Sequence, residues 1–65
     1  MKLAVNGDLV DVNSKTMTAL LDELGYDHEF LATACNSELV AEEDRNTCIL
    51  NEGDRIEILS PMQGG

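Results

Sequence analysis

A single stretch with helical period, set among strand-like runs, is the feature that most limits how this chain folds. Met17, Leu20, Leu21 and Leu24 fall at i, i+3, i+4 and i+7, which places all four on one helical face. Ser14 or Thr16 can offer a side-chain oxygen to the first unpaired N–H groups. Gly25 stands where a left-handed C-terminal cap is expected. The spacing therefore predicts a helix over residues 17–24. Its one apolar stripe has to be buried against another element, and the elements on offer are strands.

Leu3 and Val5 lead into Asn6-Gly7, the strongest short hairpin signal because both residues tolerate positive φ, and Leu9, Val10 and Val12 return. Residues 2–12 thus read as a β-hairpin. After the polar connector 26–29, the run Phe30–Cys35 reads as a third strand, Asn36-Ser37 as a turn and Glu38–Val40 as a short fourth strand. The acidic stretch 41–46 has no apolar period and reads as a surface loop or one helical turn. Thr47, Ile49 and Leu50 are expected to bring the chain back to the core, and residues 51–54 to turn it. Arg55–Leu59 alternates: Ile56 and Ile58 point one way, Arg55, Glu57 and Leu59 the other. The expectation is an α+β domain, a mixed sheet of four or five strands with one main helix packed across it. Pro61 cannot donate to a sheet ladder, and glycine pairs have no side chain to pack. Residues 1–60 are accordingly expected to form the domain, and residues 61–65 a flexible C-terminal tail.

At 65 residues there is room for one domain. A chain this short buries only about 60% of the surface its unfolded form exposes, so a deep, enclosed active site is not expected. Tyr26 and Phe30 are its only aromatic residues, so the core must be aliphatic. A net charge of −9 argues against nucleic acid and anionic membrane surfaces as partners, and fits a soluble protein that meets basic ones. No apolar run approaches the roughly 20 residues needed to span a membrane. With no export signal ahead of the opening strand, a cytoplasmic setting with reduced thiols at Cys35 and Cys48 is expected.

The inventory excludes most catalytic constellations. His28 is the only histidine and lies in a polar connector, where a solvated residue is the simple reading. Cys35 and Cys48 lack a neighbouring base, cation or metal-ligand spacing, so they read as buried or partly buried hydrophobes. Glu42, Glu43 and Asp44 form a charge run of the kind that faces water. Catalytic residues and metal ligands are therefore expected to be absent. Gly7, Gly25 and Gly53 sit at turns, whereas Gly64 and Gly65 answer no requirement of the fold. A terminal Gly-Gly can thread a channel too narrow for any Cβ, and it presents its carboxylate to another protein as a substrate.

The chain resembles the thiamin-biosynthesis sulfur-carrier family (ThiS-like) along nearly its whole length. The matching features are the Asn6-Gly7 hairpin, Thr16 with Leu20-Leu21 and Leu24-Gly25, Ala32–Asn36 with Glu38–Val40, Leu50–Leu59 with its Glu-Gly-Asp turn, and Gly64-Gly65. The resemblance implies a β-grasp (ubiquitin-like) fold and a protein cosubstrate rather than an enzyme. A ubiquitin-activating-like adenylyltransferase would spend ATP to adenylate the Gly65 carboxylate. A cysteine desulfurase system would supply persulfide sulfur to make a thiocarboxylate there. Thiazole synthase would then take that sulfur for the thiazole ring of thiamin. No permanently bound cofactor is implied. Gly64 would permit entry into the partner, with Met62 and Gln63 in its groove, and Leu59 is the candidate apolar contact. The chain departs from the family in having Asn36-Ser37 where Asn-Gly is common, Ala41 where proline is common, and Pro61-Met62-Gln63 before the glycine pair. A small subunit of molybdopterin synthase, a ubiquitin-like protein modifier and a plain interaction module are the alternatives.

Overall fold

The computed structural model describes residues 1–60. In chain order the elements are β1 (Lys2–Val5), β2 (Asp8–Asp11), α1 (Met17–Leu24), β3 (Ala32–Cys35), β4 (Glu38–Val40), a 3-10 turn at Glu42–Asp44, and β5 (Arg55–Leu59). The strands form one sheet in the order β2-β1-β5-β3-β4. β1 and β5 run parallel; the other neighbours are antiparallel. The last strand therefore lies in the centre.

The helix forms where its spacing predicts, and its ends are chemically closed. Of the N–H groups that open a helix without an internal partner, that of Met17 donates to Cys48 O, that of Thr18 to Arg45 O and that of Ala19 to Thr16 Oγ1. Thr16, not Ser14, is the cap. Ser14 donates instead to Glu23, whose carboxylate also accepts the Asn13 and Ser14 N–H groups. At the other end Gly25 takes φ 82°, its N–H donates to Asp22 O, and that of Tyr26 donates to Leu21 O. This is a Schellman closure, which needs the positive φ that glycine supplies freely. Met17, Leu20 and Leu21 are fully buried and Leu24 half-buried. They share one core with Leu3, Val5, Val12, Leu50, Ile56 and Ile58. Burying each large aliphatic side chain is worth about 1.5–3 kcal/mol, and the helix stays on the sheet for that reason.

Both hairpin turns place an asparagine at positive φ, Asn6 at 51° and Asn36 at 52°, and both asparagines hold β5. The Asn6 side chain donates to Ile58 O at 3.1 Å and accepts from Ile58 N at 2.8 Å. Asn36 Oδ1 accepts from Arg55 N at 2.9 Å, while its Nδ2 donates to Asp54 Oδ1 at 3.0 Å. The β3–β4 hairpin keeps a two-residue turn, with Ser37 held at φ 73°, a left-handed position that glycine adopts more readily.

Three expectations require correction. The third strand begins at Ala32, not Phe30: Phe30 sits at φ 61°, outside the ladder, and is 70% exposed. Ile49 is 62% exposed, so of the returning segment it is Leu50 that enters the core. The stretch 41–46 is not wholly surface, because Arg45 is only 4% exposed. Its guanidinium donates to Thr33 Oγ1 (3.2 Å), His28 O (3.2 Å) and Leu31 O (2.7 Å), and the Thr33 hydroxyl donates in turn to Val40 O (2.8 Å). A buried cation survives here because neutral oxygens surround its fork of N–H groups.

Two measurements follow from this packing. Ser37→Gly removes the Cβ from a left-handed position and is expected to stabilise the domain by about 1 kcal/mol, read as a rise in Tm of about 4–8 °C. Arg45→Leu strips donors from buried oxygens and is expected to cost about 3 kcal/mol or more in urea unfolding. Arg45→Lys should recover only part of that loss, since one ammonium cannot reproduce the three-way fork.

Candidate functional site

The site begins on β5. Its alternation is as read from the sequence: Ile56 and Ile58 are buried under the helix, and Leu59 is 66% exposed on the opposite face. Leu59 pairs across the sheet with Ala32, and Glu57 with Ala34; Ala34 in turn pairs with Leu39, which is 82% exposed. Leu59, Ala32, Ala34 and Leu39 thereby form an apolar surface where the final strand ends, with a shallow hollow of about 160 Å³ between them. Sequence reasoning found Leu59 and missed its companions, although Leu39 lies on a three-residue strand whose alternation turns Val40 inward and Leu39 outward. A larger hollow of about 450 Å³ lies over Ala4, Asn6, Gly7, Arg55, Ile56 and Glu57. It adjoins the first half of β5 and shares Glu57 with the hollow at Leu59.

Met62, Gln63, Gly64 and Gly65 lie outside the described residues. Leu59 is the only sequence-predicted site residue within them.

The remaining reactive groups lie elsewhere. Cys35 is paired with Ile56, so three residues of strand, about 10 Å, separate its position from Leu59. Both thiols are free and half-buried. Cys35 Sγ also donates to Asp54 Oδ2 at 3.6 Å. Burial and then the Asp54 charge push the Cys35 thiol up to about 11; burial likewise raises Cys48. The Asp54 carboxylate is held below its ordinary value by the Asn51 N–H and the Asn36 amide. A thiol kept protonated at neutral pH is a poor nucleophile and a poor metal ligand. His28 Nε2 meets Asp22 Oδ1 at 2.7 Å, bridging the connector to the helix. Among the described residues no cluster of three or more His, Cys, Asp or Glu side chains could hold a metal ion. Nor is any helix among them long and apolar enough to cross a membrane.

A compact domain with inert thiols, and an apolar surface at the end of its last strand, is the frame in which the comparisons with known proteins fall. The model of the ThiS family matches residues 3–65. The chain belongs to the ThiS family. Its sheet and helix are those of the β-grasp fold: the crystal structure of the thiamine biosynthesis protein ThiS from Geobacter metallireducens superimposes with a TM-score of 0.85 at 30% identity, over the whole of both chains. A solution structure of a thiamine biosynthesis protein from the same organism gives 0.81 at 30% identity, over all of this chain and 88% of that one. The thiazole synthase of Paramagnetospirillum magneticum is 38% identical over 66 residues. This chain spans about a fifth of that curated relative's length.

The thiol environment makes a direct prediction. Alkylation of Cys35 by iodoacetamide should be slow at pH 7–8 and should accelerate as the pH approaches about 11. Mass-resolved labelling against a fully denatured sample checks this; labelling at the same rate in both states would contradict it.

Proposed function

We propose that this ThiS family sulfur carrier of thiamine biosynthesis works through a thiocarboxylate at Gly65. The observation that carries the reading is the family match, which runs through the terminal Gly64-Gly65. The chemistry explains why such a terminus suits the task. A carboxylate is a poor electrophile, so it must first be activated. Attack of the Gly65 carboxylate on the α-phosphorus of ATP expels pyrophosphate and leaves an acyl-adenylate. A persulfide sulfur then attacks the acyl carbon and AMP departs, forming an acyl disulfide. A thiol reductant cleaves that disulfide and leaves the thiocarboxylate, whose sulfur is nucleophilic and can be passed on.

Every catalytic group in this scheme belongs to a partner, and ATP is the partner's substrate. The partners are a ubiquitin-activating-like adenylyltransferase, a cysteine desulfurase system as sulfur source, and thiazole synthase as acceptor. The name of the curated relative supports the last assignment, because a segment similar to this whole chain occurs in a protein called thiazole synthase. In this scheme Gly64 and Gly65 enter a channel that excludes side chains, Met62 and Gln63 lie in its groove, and Leu59 with Ala32 and Leu39 rests against its rim. The chain's net charge of −9 favours a basic surface there.

Intact-mass analysis tests the scheme. Supplied with the adenylating enzyme, ATP, a persulfide donor and a thiol reductant, the chain should exchange one terminal oxygen for sulfur, mapped to Gly65. Adding one residue after Gly65 should abolish that exchange and leave Tm unchanged. An unmodified terminus in the complete mixture, or isopeptide conjugates to lysines as the sole product, would overturn the proposal.

A further inference from the structure

Among the described residues, Phe30 is the one large apolar side chain that the fold holds out in an unfavourable backbone state. It is 70% exposed, and its φ of 61° lies in the left-handed region that bulky residues avoid. Backbone strain of this kind persists only where the surroundings over-determine it. Here they do. The buried Arg45 guanidinium grips the carbonyls on both sides of Phe30, His28 O at 3.2 Å and Leu31 O at 2.7 Å, and Asp27 Oδ1 accepts from Glu29 N at 3.0 Å just before it. A buried cation is thus committed to fixing a connector whose product is an exposed aromatic ring.

The position of that ring indicates its use. Phe30 stands two residues before Ala32, and Ala32 pairs with Leu59. Its backbone therefore lies at the end of the sheet from which the final strand departs, the end that carries Leu59 and Ala32. Gly65 lies six positions after Leu59, a reach of at most about 20 Å when fully extended. Any enzyme that closes around the Gly65 carboxylate must bring the mouth of its channel against this end of the domain. Rigid exposed aromatics at such places anchor interfaces, since they bury much area at little entropic cost. Asp27 and Glu29, both exposed, flank the ring with negative charge.

We propose that Phe30 is a recognition anchor that seats in an apolar socket, edged by basic side chains, at the channel mouth of the adenylating enzyme. The inference rests on the carrier reading above and adds to it a residue of the docking surface outside the sheet.

The test compares variants in ATP–pyrophosphate exchange with the adenylating enzyme. Phe30→Gly and Phe30→Asn both tolerate the left-handed conformation, so they remove the ring without loss of fold. Their Tm should equal or exceed that of the wild type. Their KM as carrier substrates should rise about tenfold or more, the usual scale for losing a buried aromatic anchor, with kcat unchanged. Phe30→Tyr, which keeps the ring, should retain a KM near the wild-type value. A wild-type KM for Phe30→Gly would overturn the inference alone and leave the carrier role standing. No exchange with the wild-type chain would overturn both.

Discussion

A strand in the middle of a sheet must satisfy its backbone along both edges, and in this domain that strand is the last one. β5 takes hydrogen bonds from β1 on one side and β3 on the other. Where the short parallel ladder with β1 gives out, the Asn6 amide takes over and engages both Ile58 N and Ile58 O. At the opposite end the Asn36 amide does the same service for Arg55 N. Buried backbone groups left without partners would cost as much as lost hydrogen bonds. The two turn asparagines are therefore as much part of the sheet as the strands. They can reach β5 because each takes a left-handed conformation that few residue types adopt readily. The helix, the core and the exposed surface at Leu59 all take their places from that strand.

Much of this was legible in the residues. The helix could be read to its ends because its period, its threonine cap and its glycine stop agree with one another. The first hairpin could be read from Asn6-Gly7, and the outward aim of Leu59 from a clean two-residue alternation. What could not be read were the places where tertiary contacts overrule local composition. Arg45 closes an acidic, polar run that reads as solvated, and nothing nearby in sequence announces that Thr33, His28 and Leu31 will surround it. Phe30 and Leu31 look like the start of a strand, yet the grip of Arg45 on the flanking carbonyls turns the chain out of the sheet at that point. Ile49 was read as core because it is isoleucine, but it bridges to Thr16 with its side chain outward. The companions of Leu59 come from two other strands and depend on register, which sequence alone leaves open.

The site is unusual in holding no chemistry of its own among the described residues. Its thiols are protonated at neutral pH by burial and by the neighbouring Asp54, its histidine is engaged with Asp22, and its carboxylates are mostly dispersed over the surface. That inertness suits the proposed scheme, in which the terminus would be handed between enzymes as an activated acyl group. A nucleophilic thiol or amine close to such a group would capture it. The raised pKa of Cys35 keeps the obvious internal competitor in its weakly nucleophilic thiol form.

The parallel pairing of β1 with β5 joins the beginning of the domain to its end. As the chain emerges from a ribosome, the first hairpin and the helix are available early, but the slot between β1 and β3 stays open until β5 arrives. Contacts so distant in sequence are slow to form and come last. A chain interrupted before that strand leaves Leu3, Val5 and the helical stripe without their central neighbour, and the apolar surface around Leu59 is unfinished. Closure of the sheet and appearance of the apolar surface at Leu59 are thereby made one event.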